Sequence, residues 1–550
     1  MRRGAGILFR QVGHELRSLS REPITLVLSV GFPLLFFVII ASVVGNQIVD
    51  ARQGIRLAQF LAPSFASFGV AMATFSFLAY GFAEARSTGV LKRQNGTPLP
   101  VWALLGGRMG AALILGLIAS VLVVGVGVAA YDVQIIWRTL PAVLVTLVVA
   151  SLAFSALGLA VAALASTPQF TLALTGGIVI PLGFISDIFM FGGNLPGWLS
   201  VLGWSFPLRR LVNALGDAFN PYLSGSGFSG QHLGVIVAWG VVGAAAAAWA
   251  LRRERDRVRL RGSHSPKAVT ADARPRHVSR PALFALLRDQ MGHTWAVLWR
   301  DASSTFFAVI FPVLLVLLIP TVSGGGDILM PAGQTLGAFY ALTMAVYGAG
   351  VTAFVNMPES VARARDQGVL KRGRGTPLPL AAMLGGRMAG ALVVSVVTLV
   401  VLQAVASLLY GASLPAGWGT VLVVFLLACV CFSVVGLAVV SITRSAQAAI
   451  GVTLASLLTL SFFSDVFIVG LRFPDVLEGI SWVFPLRHAT RALTDAAIPG
   501  TAAFSLPWGH IGVLAAWTVA GIAVTAWRFR WEPPAGAGKK GKAAKGGKAG

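Results

Sequence analysis

The chain has 550 residues, of which 56% are hydrophobic and only 11% are charged. A soluble core cannot enclose so much apolar surface under so few charges, so most of the chain is expected to lie in lipid. The formal net charge of +23 would also suit a nucleic-acid-binding protein, but the basic residues lie between long apolar runs, as membrane topology requires. The two cysteines, Cys429 and Cys431, lie inside one such run and exclude a disulfide framework.

Twelve apolar runs follow one another, each near or above the roughly 20 residues with which a helix crosses a bilayer. In chain order they are residues 24–44, 57–83, 110–130, 140–166, 170–186, 233–251, 306–322, 336–357, 389–409, 421–442, 446–464 and 511–527. The sequence therefore predicts an all-α polytopic membrane protein with twelve transmembrane helices. They form two six-helix halves, 1–251 and 284–530, joined by a basic cytoplasmic linker at 252–283 and followed by a disordered Lys/Gly-rich tail at 531–550.

Apolar residues before the first span of each half recur at helical spacing, from Leu8 to Leu19 and from Leu287 to Leu298. This stripe predicts an amphipathic helix that lies in the membrane interface on the cytoplasmic side. Because the number of spans is even, both termini lie on one side of the membrane. Placing them inside leaves eight of the 43 lysines and arginines outside, namely Arg52, Arg56, Arg138, Arg209, Arg210, Arg472, Arg487 and Arg491. The positive-inside rule thus predicts cytoplasmic termini.

An internal repeat gives the clearest evidence of organisation. The segment GVLKRQNGTPLPVWALLGGRM from Gly89 returns from Gly368 as GVLKRGRGTPLPLAAMLGGRM, an offset of 279 residues. Further on the offset is 278, and the motif Phe-Pro-Leu-Arg starts at both Phe206 and Phe484. Because each half has an even number of spans, the halves keep the same orientation and are related by a parallel pseudo-two-fold axis.

The cytoplasmic loop between spans two and three is the first polar break that recurs in both halves. A short basic helix is expected there, ending at a Thr-Pro pair, because proline disfavours continuation of a helix. An ordinary positive-inside loop would account for a single copy, but retention of nearly every residue in both copies indicates a docking surface for a shared partner. The candidate docking residues are Glu84, Arg86, Gly89, Lys92, Arg93, Thr97 and Pro98, and Arg365, Asp366, Gly368, Lys371, Arg372, Thr376 and Pro377.

The second break follows span five on the outer side, where moderately apolar stretches are interrupted by prolines. They predict a re-entrant helical hairpin whose candidate residues are Pro196, Pro207, Arg209, Asp217, Pro474, Pro485, Arg487 and Asp495. Asp187 and Asp465, at the ends of the fifth spans, and Asp217 and Asp495 in the hairpins could capture a cationic or hydroxylated substrate. Helix capping or pairing with Arg209 and Arg487 is the simpler role. Two phenylalanines of span two complete the candidate substrate path, Phe68 and Phe75.

These motifs resemble the permease of an ABC transporter of the ABC-2 (type V exporter) class with two fused halves, similar to tetronasin-type antibiotic-export permeases of actinobacteria. The resemblance implies that Leu8 to Leu19 forms the elbow helix and that the repeated loop couples to a separate ABC ATP-binding subunit, expected as a homodimer. That partner would bind ATP and Mg, whereas this chain needs no cofactor or metal. The family commonly has an acidic residue between the Arg and Gly of the loop, which Asp366 matches and Ser87 does not.

The expected function is therefore that of a transport subunit rather than an enzyme: a permease of an ATP-driven exporter in a bacterial cell membrane. Spans rich in phenylalanine favour an amphipathic antibiotic or drug as substrate, with a lipid or glycan as the alternative. A twelve-span secondary transporter would need ionisable groups inside the bilayer. None occurs within the predicted spans, and Arg108 and Arg387, at the start of span three, are expected to extend to lipid headgroups. The partners are the ATPase, the lipid bilayer and the substrate, with no nucleic acid.

Overall fold

A computed structural model describes residues 2–19, 27–43, 45–50, 55–97, 99–189, 195–261, 292, 302–373, 380–467, 475–529 and 531. The chain divides into two compact units, Met1–Pro281 and Ala282–Gly550. Eleven helices among the described residues are long and apolar enough to cross a membrane, and the remaining predicted span corresponds to a shorter apolar helix, Ser29–Val43. The prediction of an all-α polytopic membrane protein in two halves is confirmed.

The first unit contains ten helices among its described residues. They are α1 (Arg2–Leu19), α2 (Phe32–Val43), α3 (Leu57–Ser87), α4 (Val90–Asn95), α5 (Val101–Tyr131), α6 (Leu140–Leu164), α7 (Pro168–Ile185), α8 (Gly197–Ser205), α9 (Pro207–Ala218) and α10 (Gly230–Arg261). Two short strands, β1 (Ile48–Asp50) and β2 (Ile55–Arg56), pair antiparallel between α2 and α3. The helix α10 continues beyond residue 251, where the first half was predicted to end.

The described part of the second unit repeats this order. Its helices are α11 (Ala302–Thr305), α12 (Phe311–Val322), α13 (Leu336–Asp366), α14 (Val369–Gly373), α15 (Leu380–Tyr410), α16 (Trp418–Ile442), α17 (Ala446–Phe463), α18 (Asp475–Ser481), α19 (Pro485–Ala496) and α20 (Trp508–Arg528). Apart from Gly292, the second elbow helix, predicted at 287–298, lies outside the described residues, as does the tail from 532. In both units the second span contains a π-helical segment, Met72–Phe77 and Gly350–Asn356.

Equivalent tyrosines fasten the first span to the end of the third in each unit. The hydroxyl of Tyr131 donates to the Val38 carbonyl at 3.2 Å and lies 2.6 Å from the Ser42 hydroxyl. The hydroxyl of Tyr410 donates to the Leu317 carbonyl at 2.7 Å and lies 2.8 Å from a threonine hydroxyl. A hydroxyl that faces lipid or protein rather than water needs such partners, and the duplicated sequence produces the same contact twice.

Small residues allow the fourth and sixth spans to pack closely. A Cβ atom on Gly243 of α10 would lie 2.7 Å from the backbone nitrogen of Leu157 in α6. A Cβ atom on the equivalent Gly521 of α20 would lie 2.8 Å from a side-chain carbon of Val434 in α16. Helices in lipid associate mainly through van der Waals packing, which a glycine at the crossing permits. The two glycines therefore fix the position of the last span in each unit.

Candidate functional site

The loop after span two forms a short basic helix in each unit, as the sequence predicts. Between α3 and α4, Gly89 has a φ of 72°, and between α13 and α14, Gly368 has a φ of 70°. This left-handed conformation favours glycine because it has no Cβ atom. Thr97 is exposed beyond α4, whereas Pro98, Thr376 and Pro377 lie outside the described residues.

The basic side chains of the two short helices are exposed, and these helices are named the coupling helices below. Their exposed lysines and arginines are Lys92 and Arg93 on α4, and Lys371 and Arg372 on α14. Long cationic side chains on a short exposed helix can contact an acidic surface of another protein. Docking by these four side chains stays a prediction.

The arginines at the ends of the second spans point inward instead. Arg86 donates to the carbonyls of Ala163 and Ala165 where α6 ends. Arg365, whose side chain is 2% exposed, donates to the Val440 and Thr443 carbonyls where α16 ends, at 2.8 and 3.2 Å. The last carbonyls of a helix lack intrahelical partners and carry partial negative charge, so a guanidinium satisfies both requirements. Each arginine therefore ties the base of a coupling helix to the end of span four.

The two loops differ in how they contact span five. One Asp366 oxygen lies 3.2 Å from Arg365 Nε, and the other accepts a hydrogen bond of 2.7 Å from the backbone N–H of Ala446 at the start of α17. In the first unit the equivalent Ser87 donates to the Glu84 carbonyl at 2.9 Å, within its own helix. In the second unit the acidic side chain therefore hydrogen-bonds the coupling loop to span five, whereas the Ser87 hydroxyl is bonded within its own helix.

The predicted hairpins after span five each consist of two short helices, α8 with α9 and α18 with α19. Pro207 and Pro485 begin the second helix of each pair, where a missing N–H costs nothing. Pro196 precedes α8, and Pro474 lies outside the described residues. Penetration of the hairpins into the membrane stays a prediction.

Each hairpin is held by an arginine over a tryptophan. The guanidinium carbon of Arg209 lies 4.6 Å from the Trp204 ring, and that of Arg487 lies 4.6 Å from the Trp482 ring. These distances are typical of cation–π contacts. The arginines are almost fully buried and lock the two helices of each hairpin together.

The aspartates at the ends of span five have different partners. Asp187 lies 3.2 Å from Arg209 Nε, as predicted. The prediction for Asp465 was wrong, because its ion pair, at 2.7 Å, is with Arg491. Arg487 pairs at 3.0 Å with Glu478. Glu478 stands where the first unit has Ser200, so Arg487 has a carboxylate partner at a position where Arg209 has only a serine.

The aspartates share an unusual backbone and a buried setting. Their φ values are 60° at Asp187 and 56° at Asp465, a left-handed conformation that aspartate tolerates better than most residues. Burial raises the pKa of both carboxyl groups, and the neighbouring arginines oppose this shift. In the hairpins, Asp217 lies 3.9 Å from His232, and the backbone carbonyl of Asp495 accepts from Thr501 at 3.4 Å.

The two candidate phenylalanines of span two lie in the core. Phe68 has no exposed surface, and its ring centroid is 5.1 Å from that of Phe189 and 6.0 Å from that of Phe32. Phe75 is 5% exposed, and its backbone carbonyl lies against Gly158 of α6. Both side chains serve packing in this structure, and a contact with substrate stays a prediction.

The arginines at the start of span three do not extend outward as predicted. Arg108 is 10% exposed, with its Nε 3.5 Å from Glu15 of α1 and its guanidinium carbon 5.6 Å from the ring centre of Phe82. Arg387 donates to the Ser360 hydroxyl at 3.1 Å. The sequence did not indicate the contact of Glu15 with Arg108, since a single acidic residue on a predicted elbow helix gives no sign of its partner.

The repeated order of spans, with a coupling helix after span two and a helical hairpin after span five, defines a duplicated membrane permease. The ABC-2 type transporter family matches the chain twice, over residues 11–219 and 291–498. The chain belongs to this family and is the membrane subunit of an ABC exporter, which functions with an ABC ATP-binding subunit. No curated protein sequence matches the chain.

Proposed function

We propose that the coupling helices dock on a homodimeric ATP-binding partner, and that ATP-driven closure of this partner exports an amphipathic small molecule across a bacterial cell membrane. Both termini are cytoplasmic in this proposal. The observation that carries it is the same in both units: an arginine anchors the base of the coupling helix, Arg86 or Arg365, while the basic tip of that helix is exposed. A helix whose base is fixed can transmit the force of the closing ATPase to the spans, whereas a flexible loop would dissipate that force.

The contacts of the second unit supply a route for that push. Movement of α14 displaces Arg365 and with it the end of α16. Asp366 couples the same movement to the start of α17, and the other end of α17 leads to Asp465 and its ion pair with Arg491 on α19. Span five thus connects the coupling loop with the hairpin at its opposite end.

The first unit has a weaker version of the same route, because the Ser87 hydroxyl donates to the Glu84 carbonyl within its own helix, where the second unit has a hydrogen bond to span five. We therefore propose that the two coupling helices contribute unequally to transport. The second unit makes the larger contribution, since displacement of α14 moves span four and span five together.

The composition of the spans supports a hydrophobic or amphipathic cargo such as an antibiotic. Apolar burial contributes about 25 cal/mol per Å² to affinity, so a substrate that partitions into lipid needs few polar contacts. Co-expression of the chain with its ATPase should raise resistance to hydrophobic antibiotics and leave resistance to hydrophilic ones unchanged. Loss of a surface glycan or lipid from a deletion strain, with drug sensitivity unchanged, would contradict this choice of cargo.

A further inference from the structure

A cavity of about 300 Å³ lies in the first unit beside its coupling helix. Its wall is formed by α1, α3, α4 and α5, and its volume is at the lower end for small-molecule sites. Its lining combines apolar side chains, among them Phe82 and Leu115, with the charged side chains of Glu15, Glu84 and Arg108. The cavity is therefore amphipathic, with two carboxylates, one guanidinium and the imidazole of His14.

Two polar atoms in this wall are buried without a hydrogen-bond partner among the described residues: Gln94 Oε1, an acceptor, and Arg108 Nε, a donor. Arg108 is nine-tenths buried; its Nε lies 3.5 Å from Glu15 Oε1, an ion pair that is too long for a good hydrogen bond, and another guanidinium nitrogen donates to the Gly81 carbonyl at 3.4 Å. Buried polar atoms in native proteins almost always have partners. A bound molecule with one donor and one acceptor would give each of these two atoms a hydrogen-bond partner.

The repeat shows that this acidic wall is particular to the first unit. The positions of Glu15, Glu84 and Gln94 are taken in the second half by Thr294, Arg363 and Gly373. In the second unit Arg363 therefore stands where the first unit has Glu84, and it forms an ion pair of 2.5 Å with Glu359 in its own helix.

We infer that this cavity binds an amphipathic amino alcohol. Its ammonium group lies at Glu84 and Gln94, its hydroxyl oxygen accepts from Arg108 Nε, and its apolar chain lies along Phe82 and Leu115. The inference deepens the proposed function, on which it rests in naming this cargo class. Val90 and Gln94 of the first coupling helix line the site, so a bound molecule contacts the helix that docks the ATPase in the proposed function.

Binding is tested without the ATPase, on the full chain in nanodiscs of phosphatidylglycerol. Titration calorimetry compares 2-amino-1-decanol with 1-decanol and decanoate, after subtraction of the heat from empty discs. The amino alcohol should bind saturably and tightest, since only it carries the ammonium group, and decanoate weakest. Equal affinity for all three probes would overturn the inference.

Two substitutions locate the site. Glu84→Gln should weaken binding of the amino alcohol about tenfold, because a hydrogen bond to a charged group is lost, and should leave 1-decanol unaffected. Gly81→Leu should abolish saturable binding of both, because Gly81 lines the cavity and a Cβ atom there meets nothing within 4 Å. Unchanged binding in both variants would overturn the inference.

The matched controls are Gly125→Leu, at a glycine that is equally open but outside the cavity, and Glu359→Gln in the second unit. Both should bind as the native chain does, and a loss equal to that of Glu84→Gln would overturn the inference. Phosphatidylethanolamine carries the same ammonium and oxygen groups. If this lipid competes with the amino alcohol in mixed discs, the occupant of the cavity is a lipid headgroup. If it does not compete, the occupant is a free amphipathic molecule. Failure of binding leaves ATP-driven export untouched, because no transport is measured here.

Discussion

Replacing Arg365 with alanine removes the anchor of the second coupling helix. The guanidinium donates to two carbonyls at the end of α16, Val440 and Thr443, and its side chain is 2% exposed. Hydrogen bonds from charged groups contribute about 1.5–3 kcal/mol each, and the freed carbonyls regain some partners on relaxation. We expect a local loss of about 3 kcal/mol, which corresponds to a roughly hundredfold increase in local opening.

Amide hydrogen exchange measures this opening directly. In Arg365→Ala, amides of residues 437–449 should exchange about a hundredfold faster, while those of 160–171 in the first unit keep their rates. Arg86→Ala should give the opposite pattern. Arg372→Ala, on the exposed face of α14, serves as the control and should change neither region. Unchanged exchange at 437–449 in Arg365→Ala would refute the anchoring role.

Three further outcomes follow from the structure. Gly243→Ala should lower the free energy of unfolding by about 1–3 kcal/mol through overpacking against α6. The control Gly125→Ala places its Cβ atom in open space and should have no such effect. Equal midpoints of thermal unfolding for the two variants would contradict the packing argument. In a chain without native cysteines, an impermeant maleimide added to cells should label Pro221→Cys and not Ser263→Cys, and the reverse would overturn the orientation. Arg372→Ala should reduce the ATPase that copurifies and leave the unfolding midpoint in place; undiminished copurification would count against docking at α14.

The spans and the duplication could be predicted from the sequence because the bilayer imposes one simple condition on each crossing helix. A run of about 20 apolar residues meets that condition whatever its neighbours are, so no tertiary information is needed. The coupling helices were likewise accessible, since Gly89 and Gly368 mark the change of direction and the basic residues recur at a fixed offset.

The partners of individual charged groups could not be predicted in the same way. An arginine at the end of a span gives the same sequence pattern whether it extends to lipid, docks a protein or donates to helix carbonyls. Arg365 donates to helix carbonyls only because α16 ends beside it, which the sequence does not show. The repeat equates Arg487 with Arg209, yet Glu478 diverts Arg487 and leaves Asp465 to Arg491. The pair of Glu15 and Arg108 joins residues from distant elements, so its cavity has no local signal.

The most direct test of ATP-driven export is uptake into proteoliposomes that contain the chain in its inside-out orientation, with and without the ABC ATPase that copurifies with it. We predict uptake of a hydrophobic antibiotic only with the ATPase and ATP, insensitive to a protonophore, and greatly reduced by Arg365→Ala. Uptake by the chain alone, driven by a proton gradient and independent of ATP, would contradict the account and support a secondary transporter.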